Sequence, residues 1–426
     1  MPAAIARLGR VRVFEESTFG ADLSASVGSF VDLRGIGPVD VQTPLGLLKD
    51  DSLRQRSWGD RLDILGPRGH GKTSIKSYLM ASGVALDNAA SAPATPRTAQ
   101  GRVLKKAFMD GWVSDKGDLA TAGSTTTVLN MTVGTRTGAG RALVLPTGAG
   151  GALEMREVAS VAANAATLKQ ATSNAQTNGA AIYNTETFYP GAPGQAGSLQ
   201  FLIESAARKK IHWLLGAQLV GGLAIDLPSK GLPGLTYNIE SADWKADGEV
   251  GTPIGGAAIA AATYTDADPL PFTKSYLFVQ DASSSVAQSL DHYELKIGIS
   301  WGFEEIPSVD VTRGVNGIAG WYPTKAEPLA TVSFKIRVDD SSPYDEAYWR
   351  TRWQARTPQR VFVQVGNTLA QVVGISLPNC QITDLQPVTN AGSLVGWQVT
   401  MKALEDAYAT DQSTLLRTAP FRLHTM

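Results

Sequence analysis

Gly66-Pro67-Arg68-Gly69-His70-Gly71-Lys72-Thr73 is the run whose residue types and spacing come nearest to a chemical site. It matches the phosphate-loop pattern, in which a glycine is followed four residues later by Gly-Lys-Thr. In such a loop backbone N–H groups cradle phosphates, Lys72 reaches the β- and γ-phosphates, and Thr73 holds magnesium. Gly66, Gly71, Lys72 and Thr73 are therefore the candidate nucleotide-binding set. That chemistry needs a buried strand before the loop and a helix opening at the Lys-Thr pair. The preceding Leu62-Asp63-Ile64-Leu65 is short and interrupted by Asp63. Beyond the loop, Ile75, Tyr78 and Leu79 share a helical face, but Ser74, Lys76 and Tyr78 also alternate with Ile75, Ser77 and Leu79 as on a strand. A nucleotide hydrolase further requires a second strand ending in a magnesium-binding carboxylate. Asp226 and Asp281 are the candidates, and both sit in β-rich surroundings. With 43 glycines in the chain a chance match is cheap, and a Gly-rich hairpin turn is the expected reading.

Other reactive residues are scattered. His70, His212, His292 and His424 are far apart, with no metal-ligand spacing among them. His212 beside Trp213 reads as a core or interface histidine. Glu304 and Glu305 could pose as a carboxylate pair, but adjacent strand residues point to opposite faces. Asp339-Asp340 reads as a solvated strand-end cluster. The single cysteine, Cys380, opens an apolar strand and excludes an internal disulfide or a multi-cysteine zinc site. No catalytic constellation emerges, so neither an enzyme activity nor a cofactor or metal is expected.

The elements that carry these residues belong to a chain of 426 residues, only 18% of them charged, with a net charge of -1. Globular domains average about 25% charged residues, so much of this surface has reason to be hidden against a partner. No window approaches the ~18 apolar residues of a membrane helix. The balanced charge gives no footprint for tight nucleic-acid binding. The N-terminus, with Arg7, Arg10 and Arg12 but no apolar core, suggests synthesis in the cytoplasm without export.

Strand alternation dominates. It runs through Lys72–Met80, 213–227, Leu235–Trp244, His292–Trp301 and Leu329–Val338, and strands are also expected at 199–205, 361–365, 374–384 and 394–404. Val103, Leu104, Ala107 and Phe108 recur at helical spacing, predicting a short helix over 98–112. A second helix is predicted over 343–356, opened by Pro343, with Tyr344, Ala347, Tyr348 and Ala355 on one face. Residues 113–200 are rich in Gly, Ala, Ser and Thr and predict surface hairpins and loops. Residues 247–272 form the candidate linker.

The order of elements repeats. A strand (Lys72–Met80), a helix (98–112) and a hairpin with arms Gly222–Leu227 and Leu235–Trp244 are followed by Thr331–Val338, 343–356, Cys380–Leu385 and Trp397–Leu404. Lys72-Thr-Ser-Ile-Lys76 echoes Thr331-Val-Ser-Phe-Lys335. An internal duplication is expected, its first copy lengthened by the 113–200 insertion.

Arg12-Val-Phe-Glu-Glu-Ser-Thr-Phe-Gly-Ala-Asp22, with its Glu and Thr-x-Gly turn, resembles the N-terminal signature of bacteriophage tail tube proteins. Gly71–Ala81 is similar to that family's alternating strand, and the 216–227 segment to its strand pair before Leu235–Trp244. The second half resembles a second tube domain, ending in the Trp397–Leu404 strand and a Pro420–His424 tail. The resemblance implies a mainly β (α+β) fold of two tandem tail-tube-type β-sandwich/barrel domains, each with one short helix and each lending strands to a shared oligomeric barrel. The implied division is a first tube domain at 1–250, a linker at 251–272 and a second tube domain at 273–426. The implied function is that of a structural virion protein, the major tail tube subunit of a long-tailed, siphophage-type phage. It would be made in the host bacterial cytoplasm and located in the virion tail, stacked in rings that pass the genome. Its partners would be itself, as a trimeric ring with pseudo-hexameric symmetry or alternatively a hexamer, together with the tape measure, tail terminator and distal tail proteins. Double-stranded DNA would pass without sequence specificity, and no membrane is involved. The insertion would serve as an inter-ring arm. A phosphate-loop protein using Gly66–Thr73 and another tail or minor virion β-protein are the alternatives.

Overall fold

The protein folds as a mainly β structure of antiparallel sheets with a few short helices, as the alternation predicts. The computed structural model describes residues 10–16, 19–20, 31–34, 41–42, 45–49, 63–68, 71–147, 152–192, 197–205, 210–228, 231–249, 270, 275–282, 288–300, 302–308, 318–323, 329–337, 345–390, 393–407 and 414–426. The first half opens with β1 (Arg10–Glu15), β2 (Val31–Leu33), β3 (Val41–Gln42), β4 (Leu45–Lys49), β5 (Asp63–Arg68), β6 (Gly71–Tyr78) and α1 (Ala99–Ala107). Next come β7 (Trp112–Val113), β8 (Asp118–Leu119), β9 (Val128–Asn130), β10 (Ala142–Pro146), β11 (Leu153–Ala162), β12 (Ala165–Leu168), β13 (Ala181–Asn184) and β14 (Glu186–Phe188). This half closes with β15 (Leu199–Ser205), β16 (Lys210–Gln218), β17 (Leu223–Leu227) and β18 (Gly234–Glu249). The second half has β19 (Ser275–Asp281), β20 (Gln288–Leu290), β21 (His292–Ser300), β22 (Phe303–Pro307), β23 (Ile318–Pro323), β24 (Leu329–Arg337) and α2 (Glu346–Gln354). It continues through β25 (Gln359–Thr368), β26 (Gln371–Asn390), β27 (Ser393–Ala403), α3 (Leu415–Thr418) and β28 (Arg422–Thr425). Of the expected linker 251–272, only the buried Leu270 lies among the described residues.

The two halves pair their strands in one common register. Val11 and Val13 face Leu33 and Val31, as Leu277 and Val279 face Leu290 and Gln288. On their other side they face Ile203 and Phe201, as Leu277 and Val279 face Val363 and Val361. The β15–β16 ladder slips after Leu199, and the β25–β26 ladder slips at the matching step after Gln359. Ile75 lies opposite Tyr237 as Phe334 lies opposite Val399, so the Lys72–Lys76 and Thr331–Lys335 runs occupy equivalent positions. In the hairpin, Leu223 and Ile225 face Tyr237 and Leu235, while Leu385 and Pro387 face Val399 and Trp397. The arm equivalent to β17 is thus 385–389, further along β26 than the Cys380–Leu385 arm read from sequence. The difference arises because β26 runs unbroken through both strand positions.

The halves are also joined. β17 pairs with β21, from Leu223 opposite Ile299 to Leu227 opposite Leu295. A single antiparallel sheet therefore runs β3-β6-β18-β17-β21-β24-β27-β26. Its inner face is one continuous core that includes Ile75, Leu223, Ile225, Tyr237, Ile297, Phe334 and Val399.

α1 and α2 seal that core. Thr98 caps α1, its side chain accepting from Gly101 N at 2.9 Å. Val103, Leu104, Ala107 and Phe108 are buried as their spacing predicts, and Met109 and Asp110 end the helix in left-handed conformations. Asp345 caps α2 through Tyr348 N at 2.8 Å. Pro343 and Tyr344 lie outside the described residues. The buried residue of α2 is Trp349, edge-on to Phe334 at 5.8 Å, rather than the face of Ala347, Tyr348 and Ala355 expected from sequence. Arg352 sets this rotation by stacking on Tyr348 while its guanidinium pairs with Asp281.

Residues 113–200 differ most from expectation. They form a sheet in the order β8-β13-β10-β11-β12-β9 over a core of its own, which includes Leu129, Met131, Leu143, Val158 and Ile182. The other face of β10 and β11 sends Val144 and Met155 against Phe362, Val372 and Met426 of the second half. Gln364 locks this seat, donating to Leu153 O and accepting from Met155 N. Small residues suffice because the sheet leans on an existing wall and need not fill a wide core alone.

Candidate assembly face

The outer face of the shared sheet is polar. Along β6, Thr73, Ile75 and Ser77 are buried while Lys72, Ser74 and Lys76 are exposed, which is the period-2 consequence of one solvated face. β17 repeats this with Ala224 and Asp226 exposed, and β21 with Lys296 and Ser300. The charges on this face are interleaved. Lys72 Nζ reaches Glu240 at 2.7 Å, while Glu294 accepts from Lys335 at 2.5 Å and Lys296 at 3.2 Å. The Lys335 hydrogen bond holds the Glu294 carboxyl below its usual range, and Glu294 raises Lys296. Glu294, Lys296, Ser333, Lys335 and Gln398 line a shallow recess there.

Of the phosphate-loop residues, Gly71, Lys72 and Thr73 fall on this wall, while Gly66 belongs to the separate β4–β5 pair. Gly66 lies within β5, and Gly71, Lys72 and Thr73 open β6, which is a strand where a phosphate loop requires a helix. Thr73 is buried beneath the sheet, facing away from Lys72. Asp226 sits on β17 opposite Lys296, and Asp281 binds Arg352 and Gln359, so the two carboxylates lie in separate settings.

The remaining candidates are dispersed. His70, Asp339 and Asp340 lie outside the described residues. His212 lies on β16 opposite Ile203. His292 Nδ1 meets Leu290 O and its Nε2 meets Ser275, and burial lowers its pKa. Glu304 and Glu305 are both exposed on β22, opposite Tyr322 and Trp321. Cys380 is buried, and burial pushes its thiol far up. Among the described residues no group of three or more His, Cys, Asp or Glu side chains could hold a metal ion. No helix among them is long and apolar enough to cross a membrane.

The carboxylate of the N-terminal signature has a defined task. Buried Glu16 accepts from Gly20 N at 3.1 Å, closing the turn after it, and from Gly216 N at 2.9 Å and Ser198 Oγ. It pins the chain entry to β16.

Sequence reasoning missed a buried ionic cluster. Arg422 pairs with Glu157 at 2.7 Å and with Asp406 at 3.4 Å, and Lys169 pairs with Glu157 at 2.9 Å and Asp406 at 2.7 Å. Ser376 also donates to Glu157. Burial would raise Glu157, but Lys169 and Arg422 hold it at about 2. Burial pushes His424 down to about 3, with Arg422 and Lys169 adding to the effect, and its Nδ1 lies 3.0 Å from Thr187. Nearby Glu186 is raised to about 7 by burial. Glu157 comes from β11, Lys169 directly follows β12, and Glu186 and Thr187 lie on β14. Ser376 lies on β26, Asp406 follows β27, and Arg422 and His424 lie on β28, so the cluster bolts the inserted segment to the second half. Their spread along the chain left no local signal.

No family model matches the chain, and no curated protein matches it. Among solved structures, a chain of "Virion of native gene transfer agent (GTA) particle" overlaps with a TM-score of 0.22 at 10% identity, covering 30% of this chain and 88% of that one. A chain of "Cryo-EM structure of the anti-feeding prophage cap (AFP tube terminating cap)" overlaps with a TM-score of 0.24 at 15% identity, covering 39% of this chain and 95% of that one. Both overlaps are local and carry no argument about function.

Proposed function

We propose that the chain is a structural virion protein, the major tail tube subunit of a long-tailed phage or phage-derived particle. Two tube domains, 1–250 and 273–426, arose by duplication, and the first carries the 113–200 insertion. Three chains then complete a ring of six domain equivalents, and rings stack around a tape-measure protein between a tail terminator and distal tail proteins. Double-stranded DNA later passes through the channel. The observation that carries this reading is the continuous sheet built by both halves, apolar and helix-covered on one face and polar on the other. A sheet of that kind is a segment of wall, and closure into a barrel removes its open ends.

The polar face suits a channel lining. Lys72, Lys76, Lys296, Lys335 and Lys402 are opposed there by Asp226, Glu240 and Glu294. Each free lysine in contact with a phosphate would add to salt-dependent retention of DNA, and internal pairing of Lys72, Lys296 and Lys335 reduces that hold. The shared register of the halves and the turn-closing role of Glu16 support the family resemblance seen in the sequence.

Negative-stain microscopy and mass photometry of the purified protein test the reading. Rings of three chains and stacked tubes are expected at high concentration. A protein that stays monomeric at every concentration would refute it, and rings of six chains would refute the two-domain stoichiometry.

A further inference from the structure

The shared sheet has two unlike ends. At one end the 385–389 part of β26 carries β27 on one side and, among the described residues, no strand on the other. At the other end β3 pairs with β6, Val41 opposite Thr73 and Gln42 opposite Lys72, with no further strand beyond it among the described residues. The equivalents of these two ends are already joined inside the chain. The 385–389 arm occupies the position of β17, because Leu385 faces Val399 as Leu223 faces Tyr237. β3 occupies the position of β21, because Gln42 faces Lys72 as Gly298 faces Thr331. β17 and β21 form an antiparallel ladder.

We infer that the 385–389 edge of one chain pairs antiparallel with β3 of a second copy, in the register of the β17–β21 ladder. Ala224 opposite Gly298 translates to Gln386 opposite the partner subunit's Gln42, and Ile225 opposite Ile297 translates to Pro387 opposite the partner subunit's Val41. The partner is another copy of this chain because the two ends are complementary to each other in the way the internal joint shows.

Burial points to the same edge independently. Leu223 and Ile225 are 2% and 1% exposed beneath β21. Their equivalents are less covered: Leu385 is half-buried and Pro387 is exposed. Both are apolar residues at positions that face the core in the first half, uncovered where the neighbouring strand is missing. A proline is tolerated on an edge strand and guards it against indiscriminate pairing. The contact is head-to-tail, so it propagates until rotation closes it. Closure into a ring rests on the tube-subunit reading above; the pairing itself rests on register.

The test is a Gln42→Cys/Gln386→Cys double variant, assembled and then oxidised with diamide. Directly opposed antiparallel residues have the Cα separation a disulfide needs. Loss of the monomer band into covalent multimers no larger than one ring is expected on a non-reducing gel. Either single variant should stay monomeric on the same gel, since buried Cys380 offers no accessible thiol. A Gln42→Cys/Thr389→Cys control, out of register and on the opposite face, should not link. Rings seen by microscopy without the linkage, or equal linkage in the control, would overturn the joint and leave the tube reading standing. A wild-type chain that stays monomeric at every concentration would overturn both.

Discussion

β17 and the outer part of β26 hold the same position in the two halves, yet the chain reaches them differently. In the first half the path breaks: β16 ends at Gln218, a turn follows, and Gly222 re-enters the sheet at φ +81. A Cβ on Gly222 would lie 2.3 Å from Ile299 O, so β21 leaves room only for glycine. In the second half β26 continues for 20 residues, and Asp384 stands where the first half has Gly222. Beside the inner part of this path, β18 accompanies β16, whereas β28 takes that place against β26, Ser376 facing Arg422 as Trp213 faces Lys245. The difference teaches that register is the quantity the two halves share. Each half then solves locally for the strand that stands next to it.

The largest expected effect comes from removing the substitute strand's anchor. Arg422→Ala takes from buried Glu157 and Asp406 an ion-pair partner they share with Lys169, and should cost about 3–5 kcal/mol in urea unfolding, with the inserted sheet losing amide protection first. A cost below about 1 kcal/mol would show that the cluster does not hold the insertion.

Gly222→Ala comes next and tests the broken path directly. Left-handed strain and the clash with Ile299 O should together cost roughly 2–4 kcal/mol. The matching Asp384→Ala should stay within about 0.5 kcal/mol, because no strand crowds that position among the described residues. Equal effects would erase the distinction between the two paths.

Acid titration sharpens the β28 side of the comparison. His424 is held neutral, so the unfolded chain binds its proton first and stability falls as pH drops from 6.5 toward about 3. Glu186 acts in the opposite sense. Its raised pKa stabilises the fold below pH 4.5, and that contribution is lost as pH rises through about 7. Glu186→Gln should therefore stabilise the protein at pH 8 by up to roughly 3 kcal/mol and steepen the loss on acidification. A denaturation series from pH 4 to 8 reads both slopes.

Lys72→Ala should have a similarly small effect. Its pair with Glu240 is solvent-exposed and contributes roughly 0–1 kcal/mol. Calorimetry with ATP and magnesium should show no binding to either protein; micromolar binding abolished by the substitution would restore the nucleotide reading of Gly66–Thr73.

The shared wall was legible because a half-buried strand writes its period into the sequence. Lys72–Lys76 and Thr331–Lys335 alternate, and the structure sets them in identical register. The inserted sheet was not legible, because Glu154, Arg156 and Glu157 interrupt its apolar pattern while being buried in ion pairs. The rotation of α2 is not legible in the sequence because Arg352 and Asp281 decide which ring turns inward, a contact 71 residues apart in the chain. Glu16 lies within the N-terminal signature, but its three acceptor contacts reach as far as 200 residues along the chain and are visible only in the fold.

The ladder between β17 and β21 lies within one polypeptide, and this has a consequence for assembly fidelity. Two wall segments tethered by a covalent chain meet at an effective concentration that free subunits do not reach. A misaligned junction at that seam would require the molecule to unfold part of its own core. In a ring of such chains, errors of alignment and spontaneous opening are confined to the seams between molecules, which are half of the total.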